Sequence, residues 1–155
     1  MIAGTAMEDR MSEAKLRLGV RGAASVLLIA SGVHGVAHYR AFVDEAAFDA
    51  PRRALMAAMR AYPILPRWQV DAWTMLRGYS LSFAILLMLS GSLLWWLGRE
   101  LPRVRLRALA TATLVILVVA VVLLGIAGPM PVQMVILALA ALCLAIGVAA
   151  SRAAS

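Results

Sequence analysis

Four long apolar stretches take up most of this chain and limit the folds it can adopt. They cover residues 18–39, 73–97, 108–128 and 132–149. A helix rises about 1.5 Å per residue, so a stretch of about 20 residues crosses the roughly 30 Å hydrocarbon core of a bilayer. Hydrophobic residues make up 63% of the chain and charged residues 15%, whereas soluble domains have about 45–50% and about 25%. The sequence therefore predicts an all-α fold, an integral membrane four-helix bundle over residues 18–152.

The positive charges flank these stretches, and their distribution predicts an orientation. Cytoplasmic segments of membrane proteins are enriched in Lys and Arg. One set of alternate segments carries Arg10, Lys15, Arg17, Arg21, Arg99, Arg103, Arg105, Arg107 and Arg152, and the other carries Arg40, Arg52, Arg53, Arg60 and Arg67. We therefore expect both termini in the cytoplasm and loop 40–72 outside. The Ala-, Leu- and Arg-rich composition favours a bacterial inner membrane.

The two ends of the chain are predicted to be short tails. Residues 1–17 are polar and of mixed charge, and they predict a cytoplasmic tail with a short helix capped by Ser12. Residues 153–155 follow the last apolar stretch as a C-terminal tail.

The external loop is predicted to contain an amphipathic segment between the first two spans. Asp49 can cap a helix that has Pro51 in its first turn, and Pro63 would end it. One side of this helix would carry Leu55, Met56, Met59 and Tyr62, and the other Arg53 and Arg60. Such a helix can lie on the membrane surface or fold over the bundle as a lid. The pattern favours the surface anchor and leaves the lid open.

Small residues recur at helical spacing along the first span. Gly19 and Ala23 form one pair, and Ser31 and Gly35 form a second. Such pairs let a neighbouring helix approach closely. We therefore expect the first span to be packed on several sides.

Both histidines of the chain lie on the first span. His34 and His38 are four residues apart and share one helical face. Polar side chains inside a bilayer are costly and usually face the protein interior. The second span carries Arg77, Tyr79 and Ser80 at a comparable predicted depth. These five residues predict a ligand-binding pocket in the outer leaflet, and the alternative is that the histidines only fasten neighbouring helices by hydrogen bonds.

The pocket could hold two kinds of cofactor, and the residues favour neither. A metal ion would use His34 and His38, with a third ligand from Asp44, Glu45 or Asp71. A small anionic or quinone-like molecule would use Arg77 with the histidines, because arginine pairs with anions and histidine exchanges protons near neutral pH.

Several other functional classes lack their motifs in this sequence. It contains no GxSxG, no phosphate-binding glycine loop and no cysteine beside a base. Cys143 is the only cysteine, so an intramolecular disulfide is excluded. No basic face with interleaved aromatics accompanies the pI near 11.0, so nucleic acid is not an expected partner. The expected partners are the lipid bilayer and either another membrane protein or further copies of this chain.

These observations leave three functions open. The leading one is a non-enzymatic accessory subunit or a bundle that binds a small ligand or lipid. The alternative is a membrane-embedded metal- or quinone-dependent oxidoreductase that uses His34 and His38. A small transporter that acts as an oligomer is third, because four spans alone rarely enclose a pathway. Whether the chain is an enzyme stays open.

A further set of residues carries a family resemblance. It comprises Ser31-Gly32-Val33-His34, Phe48, Met56 and the pattern Trp73-x-Met75-x-x-Gly78-Tyr79-x-x-Ser82. This set resembles small bacterial four-span membrane proteins of uncharacterised function, and the chain is also similar, at lower specificity, to DoxX-like proteins. The resemblance implies the same four-helix architecture and a role for the neighbourhood of His34 and 77–82. It implies no reaction or ligand.

Overall fold

The computed structural model describes residues 2–127 and 131–152. The helices are α1 (Ile2–Phe42), α2 (Ala50–Arg60), α3 (Ala72–Glu100), α4 (Arg103–Ala127) and α5 (Pro131–Arg152), with 3₁₀ turns at Glu45–Ala47 and Pro66–Trp68. Two short strands, β1 (Pro63–Leu65) and β2 (Val70–Asp71), pair antiparallel. Residues 128–130 and the predicted C-terminal tail at 153–155 lie outside the described residues.

The predicted all-α fold is confirmed. Four helices are long and apolar enough to cross a membrane: Met7–Phe42, Ala72–Glu100, Arg103–Ile126 and Pro131–Ser151. The helices extend beyond most of the predicted spans because their polar and basic flanks also adopt helical backbone. These four helices indicate a multi-pass membrane protein.

The N-terminal segment differs from its prediction. Helix α1 is continuous from Ile2, so the prediction that Ser12 caps a short separate helix is wrong. Ser12 lies inside the helix and is 1% exposed. Its hydroxyl donates to the carbonyl oxygen of Ser151 at 3.3 Å. Ser12 therefore contributes a tertiary hydrogen bond from the interior of α1.

The described chain forms two compact units. The first unit comprises Met1–Ile29 with Met88–Ser155, and the second comprises Ala30–Leu87. Helices α1 and α3 contribute residues to both.

Glycine contacts hold the helices of the first unit close together. A Cβ atom on Gly19 of α1 would lie 2.7 Å from the carbonyl oxygen of Cys143 and 2.8 Å from the Cα of Gly147, both on α5. A Cβ atom on Gly91 of α3 would lie 2.8 Å from the Leu28 side chain. The close approach predicted for Gly19 therefore exists, and it requires the absence of a side chain.

Two arginine side chains form hydrogen bonds between the helices of the same unit. Arg17 donates to the carbonyl oxygens of Gly98 at 2.6 Å and Leu101 at 3.0 Å, and Glu13 holds its guanidinium at 2.7 Å. The last carbonyls of a helix have no partner within the helix, so Arg17 acts as a side-chain cap for α3. Arg103 of α4 donates to Ser12 Oγ at 2.7 Å, and this contact joins α4 to α1.

The second unit contains the loop helix where it was predicted. Helix α2 begins after Asp49, whose carboxylate accepts from the Arg52 backbone N–H at 2.9 Å, and it ends at Arg60 before Pro63. The strand pair that follows was not predicted, because its prolines indicated only a helix stop. Gln69 adopts φ 55° at the turn between the strands.

Candidate functional site

The C-terminal part of α1 and the N-terminal part of α3 are joined by hydrogen bonds in the second unit. Ser31 Oγ on α1 donates to the carbonyl oxygen of Ala84 on α3 at 2.8 Å. His34 and His38 follow Ser31 at spacings of three and four residues, so all three lie on the face of α1 that meets α3. His38 is 7% exposed, and His34 is partly exposed.

Ser80 of α3 contacts both imidazole rings. His34 Nε2 lies 3.1 Å from the Ser80 carbonyl oxygen and 3.2 Å from its Oγ, and His38 Nδ1 lies 3.0 Å from the same Oγ. A carbonyl oxygen only accepts, so Nε2 of His34 carries the hydrogen in that contact. The Ser80 hydroxyl hydrogen is then available to His38 Nδ1. In the tautomer in which Nδ1 accepts this hydrogen, Nε2, the opposite ring nitrogen of His38, is a donor.

The structure separates the five predicted ligand residues into two groups. It brings His34, His38 and Ser80 together, and it leaves Arg77 and Tyr79 exposed, Tyr79 at 67%. Tyr79 precedes Ser80 by one residue and is therefore rotated about 100° from it on α3. Within the described part of the chain Arg77 forms no hydrogen bond or ion pair.

Two of the three acidic residues predicted as a third metal ligand have other partners. Glu45 accepts from Arg60 at 2.6 Å. Asp71 caps α3 by accepting from the Thr74 backbone N–H at 2.6 Å. This hydrogen bond to the carboxylate lowers the pKa of Asp71 below its ordinary value.

A row of aromatic rings continues from His38 toward the loop. The ring centroids of His38 and Phe42 are 5.2 Å apart, those of Phe42 and Trp73 5.1 Å, and those of Trp73 and Phe48 6.2 Å. These separations are typical of aromatic pairs. This row was not predicted from the sequence, although Phe42 follows His38 by about one helical turn and that spacing could have indicated the contact between their rings.

Trp73 carries an unsatisfied polar atom inside this row. The side chain is 5% exposed, and its indole N–H finds no hydrogen-bond partner among the described residues. A buried donor without a partner costs about 1–3 kcal/mol. Indole can only donate, so any group that satisfies Trp73 must be an acceptor.

The segment before α2 covers Trp73. Phe48 is 3% exposed and lies against the indole. The Arg52 guanidinium stands 4.4 Å above the Phe48 ring and donates to the Ala41 carbonyl oxygen at 2.9 Å. Arg53 donates to the carbonyl oxygen of Phe48. Arginine contacts therefore hold Phe48 in place over Trp73.

The described residues offer few ligands for a metal ion near the histidines. Over 2–127 and 131–152, no group of three or more His, Cys, Asp or Glu side chains is placed to hold a metal. The two rings direct nitrogens at the Ser80 hydroxyl instead. The geometry thus favours hydrogen bonding at this site, and metal binding by His34 and His38 stays an untested prediction.

No protein-family model, curated protein or solved structure matches this chain. The resemblance to small bacterial four-span proteins stays a prediction.

Proposed function

We propose that this chain is a four-span protein of the bacterial inner membrane, with both termini cytoplasmic, that binds a small quinone-like ligand near its outer surface. The observation that carries the proposal is the buried indole N–H of Trp73, which has no hydrogen-bond partner in residues 2–127 and 131–152. The distribution of Lys and Arg supports the orientation. The apolar side chains exposed along α3, α4 and α5 suit contact with lipid.

The chemistry around Trp73 selects the class of ligand. A ligand that satisfies Trp73 needs an acceptor oxygen, and the neighbouring Phe42 and Phe48 rings favour a flat apolar ring. A quinone carries carbonyl acceptors on such a ring. Arg77 is exposed, so the site lacks the buried cation that an anionic ligand would favour.

His38 supplies the second polar contact of the proposed site. Its ring packs on Phe42, and its Nδ1 is held by Ser80. In this arrangement Nε2 of His38 can donate to a second carbonyl oxygen of the ligand. His34 contributes indirectly, because its own contact with Ser80 fixes the hydroxyl that orients His38.

Ligand entry requires Phe48 to move, since Trp73 is 5% exposed with Phe48 in place. The segment that carries Phe48 is held mainly by exposed arginine contacts, which are individually weak. The loop and α2 therefore act as a lid in this proposal, which is the alternative that the sequence left open.

Binding of a short-chain ubiquinone to the purified protein in nanodiscs, measured by titration calorimetry, tests the proposal. Trp73→Phe keeps an aromatic ring and removes the N–H. The buried carbonyl oxygen of the ligand would then have no hydrogen-bond donor, so we expect about 5- to 100-fold weaker binding. Trp96→Phe is the matched control, because Trp96 is 58% exposed and lies in the other unit. Equal binding by the two variants, or no binding by the wild type, would refute the proposal.

The same preparation addresses the oxidoreductase alternative. A stoichiometric metal or chromophore that is lost in His34→Ala would favour a metal- or quinone-dependent enzyme. Binding without turnover when a reductant is supplied would favour an accessory subunit that holds the ligand for a partner.

A further inference from the structure

A surface groove runs between α1 and α5 in the first unit. It encloses about 510 Å³, and its lining is almost entirely apolar. Leu18 and Gly22 of α1 and Cys143 and Ile146 of α5 form its walls, and Lys15 and Ala150 lie at one end. The groove is separate from the His34–Ser80–His38 site, which belongs to the other unit.

The groove follows from the glycines of this helix pair. Gly19 and Gly147 bring the two backbones into contact, and Gly22 adds no side chain beside Cys143. The contacts Ser12–Ser151 and Gly22–Cys143 show that α1 and α5 run antiparallel. From Lys15 to Gly22 the groove is about 10 Å long, at 1.5 Å per residue. That length extends through most of one hydrocarbon leaflet.

Lys15 provides a positive charge at the end of the groove. It is exposed and forms no ion pair or hydrogen bond within the described part of the chain. Its neighbours differ, because Arg17 is held by Glu13 and Arg103 by Asp9. Lys15 precedes the apolar stretch by about one turn, which is the level of lipid headgroups in a chain that spans the membrane.

We infer that this groove binds an anionic phospholipid. One acyl chain lies between Leu18, Gly22 and Ile146, and the phosphate pairs with Lys15. Charge complementarity selects the anionic headgroup, and the uncommitted ammonium group can meet it without breaking a protein contact. The inference rests on the membrane location of the chain and is independent of the quinone-like ligand.

Native mass spectrometry of the detergent-purified protein tests the inference. Phosphatidylglycerol and phosphatidylcholine with identical acyl chains are added, and the bound amounts are compared. One lysine near a membrane surface raises the affinity for anionic lipid about five-fold. We expect Lys15→Ala to lose about that preference for phosphatidylglycerol. Arg10→Ala is the matched control, because it removes one charge from the same helix outside the groove, and we expect the wild-type preference.

A second variant tests the acyl chain. Gly22→Leu places a side chain in the part of the groove assigned to the acyl chain, and we expect it to lower binding of both lipids while circular dichroism reports an unchanged helix content. A wild-type preference retained by Lys15→Ala, or an equal loss in Arg10→Ala, would overturn the assignment of the headgroup. Displacement of phosphatidylglycerol by soluble glycerol phosphate would overturn the assignment of the acyl chain.

Discussion

The unit built from Met1–Ile29 with Met88–Ser155 and the unit built from Ala30–Leu87 treat their buried polar groups differently. In the first unit Ser12 and Ser151 are buried and hydrogen bonded, and Arg17 caps the end of α3. In the second unit a buried histidine depends on one serine, and the indole N–H of Trp73 has no partner among the described residues. Unsatisfied buried groups reduce stability and are retained where a ligand can use them. In the proposed function the second unit therefore binds the quinone-like ligand, and the polar contacts of the first unit hold its helices together.

The largest expected effect tests the close packing of the first unit. Gly19→Ala would place a Cβ 2.7 Å from backbone atoms of α5, which cannot move as a flexible side chain can. We expect a loss of about 1–3 kcal/mol in the free energy of unfolding. Gly35→Ala, in the second unit, is the control, because its Cβ would meet nothing within 4 Å. It should be neutral or stabilise by up to about 1 kcal/mol.

The free energy of unfolding of both variants can be measured in mixed micelles by adding a denaturing detergent. Equal stability of Gly19→Ala and Gly35→Ala would show that close packing at Gly19 does not stabilise the first unit.

A smaller effect tests the polar contacts of the second unit. Ser80→Ala removes the hydroxyl that both imidazoles contact, and we expect about 1 kcal/mol of destabilisation, because the carbonyl oxygen of residue 80 still accepts from His34. Ser82→Ala is the matched control on the same helix, since Ser82 is exposed. Nitrogen NMR of the histidine rings should show a changed tautomer population at His38 only in Ser80→Ala. An unchanged spectrum would mean that Ser80 does not orient His38.

The smallest expected effect concerns the cap that starts α3. Because the pKa of Asp71 is lowered in the folded protein by its hydrogen bond from Thr74, the ionised carboxylate stabilises the fold above its ordinary pKa. That contribution is lost as the pH falls through the lowered value. The difference in Tm between the wild type and Asp71→Ala should therefore be constant near neutral pH and shrink in acid. A difference that does not change with pH would show that the carboxylate charge makes no contribution.

Much of the fold could be predicted from local patterns. The apolar stretches predict α1, α3, α4 and α5 because length and hydropathy act along the chain and need no tertiary information. Asp49 and Pro51 predict the start of α2 for the same reason. The Ser12 prediction failed because the residues before Ser12 are also helical, so Ser12 lies inside α1 and not at its start. The strand pair was missed because its pairing joins residues on either side of a turn in which Gln69 adopts a left-handed backbone.

The candidate site could be predicted only in part. The spacing of His34 and His38 places both on one face, since a helix repeats every 3.6 residues. The residues of α3 that contact this face of α1 depend on how α3 is rotated about its own axis. The contacts select Ser80 and leave Tyr79 at the surface. Phe48 covers Trp73 because the loop folds back over α3. The path of this loop cannot be predicted from local sequence patterns.

The sequence by itself determined the helices, their capacity to cross a membrane and the common face of the two histidines, because these depend on composition and on spacing along one helix. Only the tertiary structure decided that Ser80 joins the imidazoles, that Trp73 is buried without a partner among the described residues, and that a groove opens beside Lys15. These features arise where residues far apart in the chain meet, and the rotation and close approach of whole helices determine such meetings.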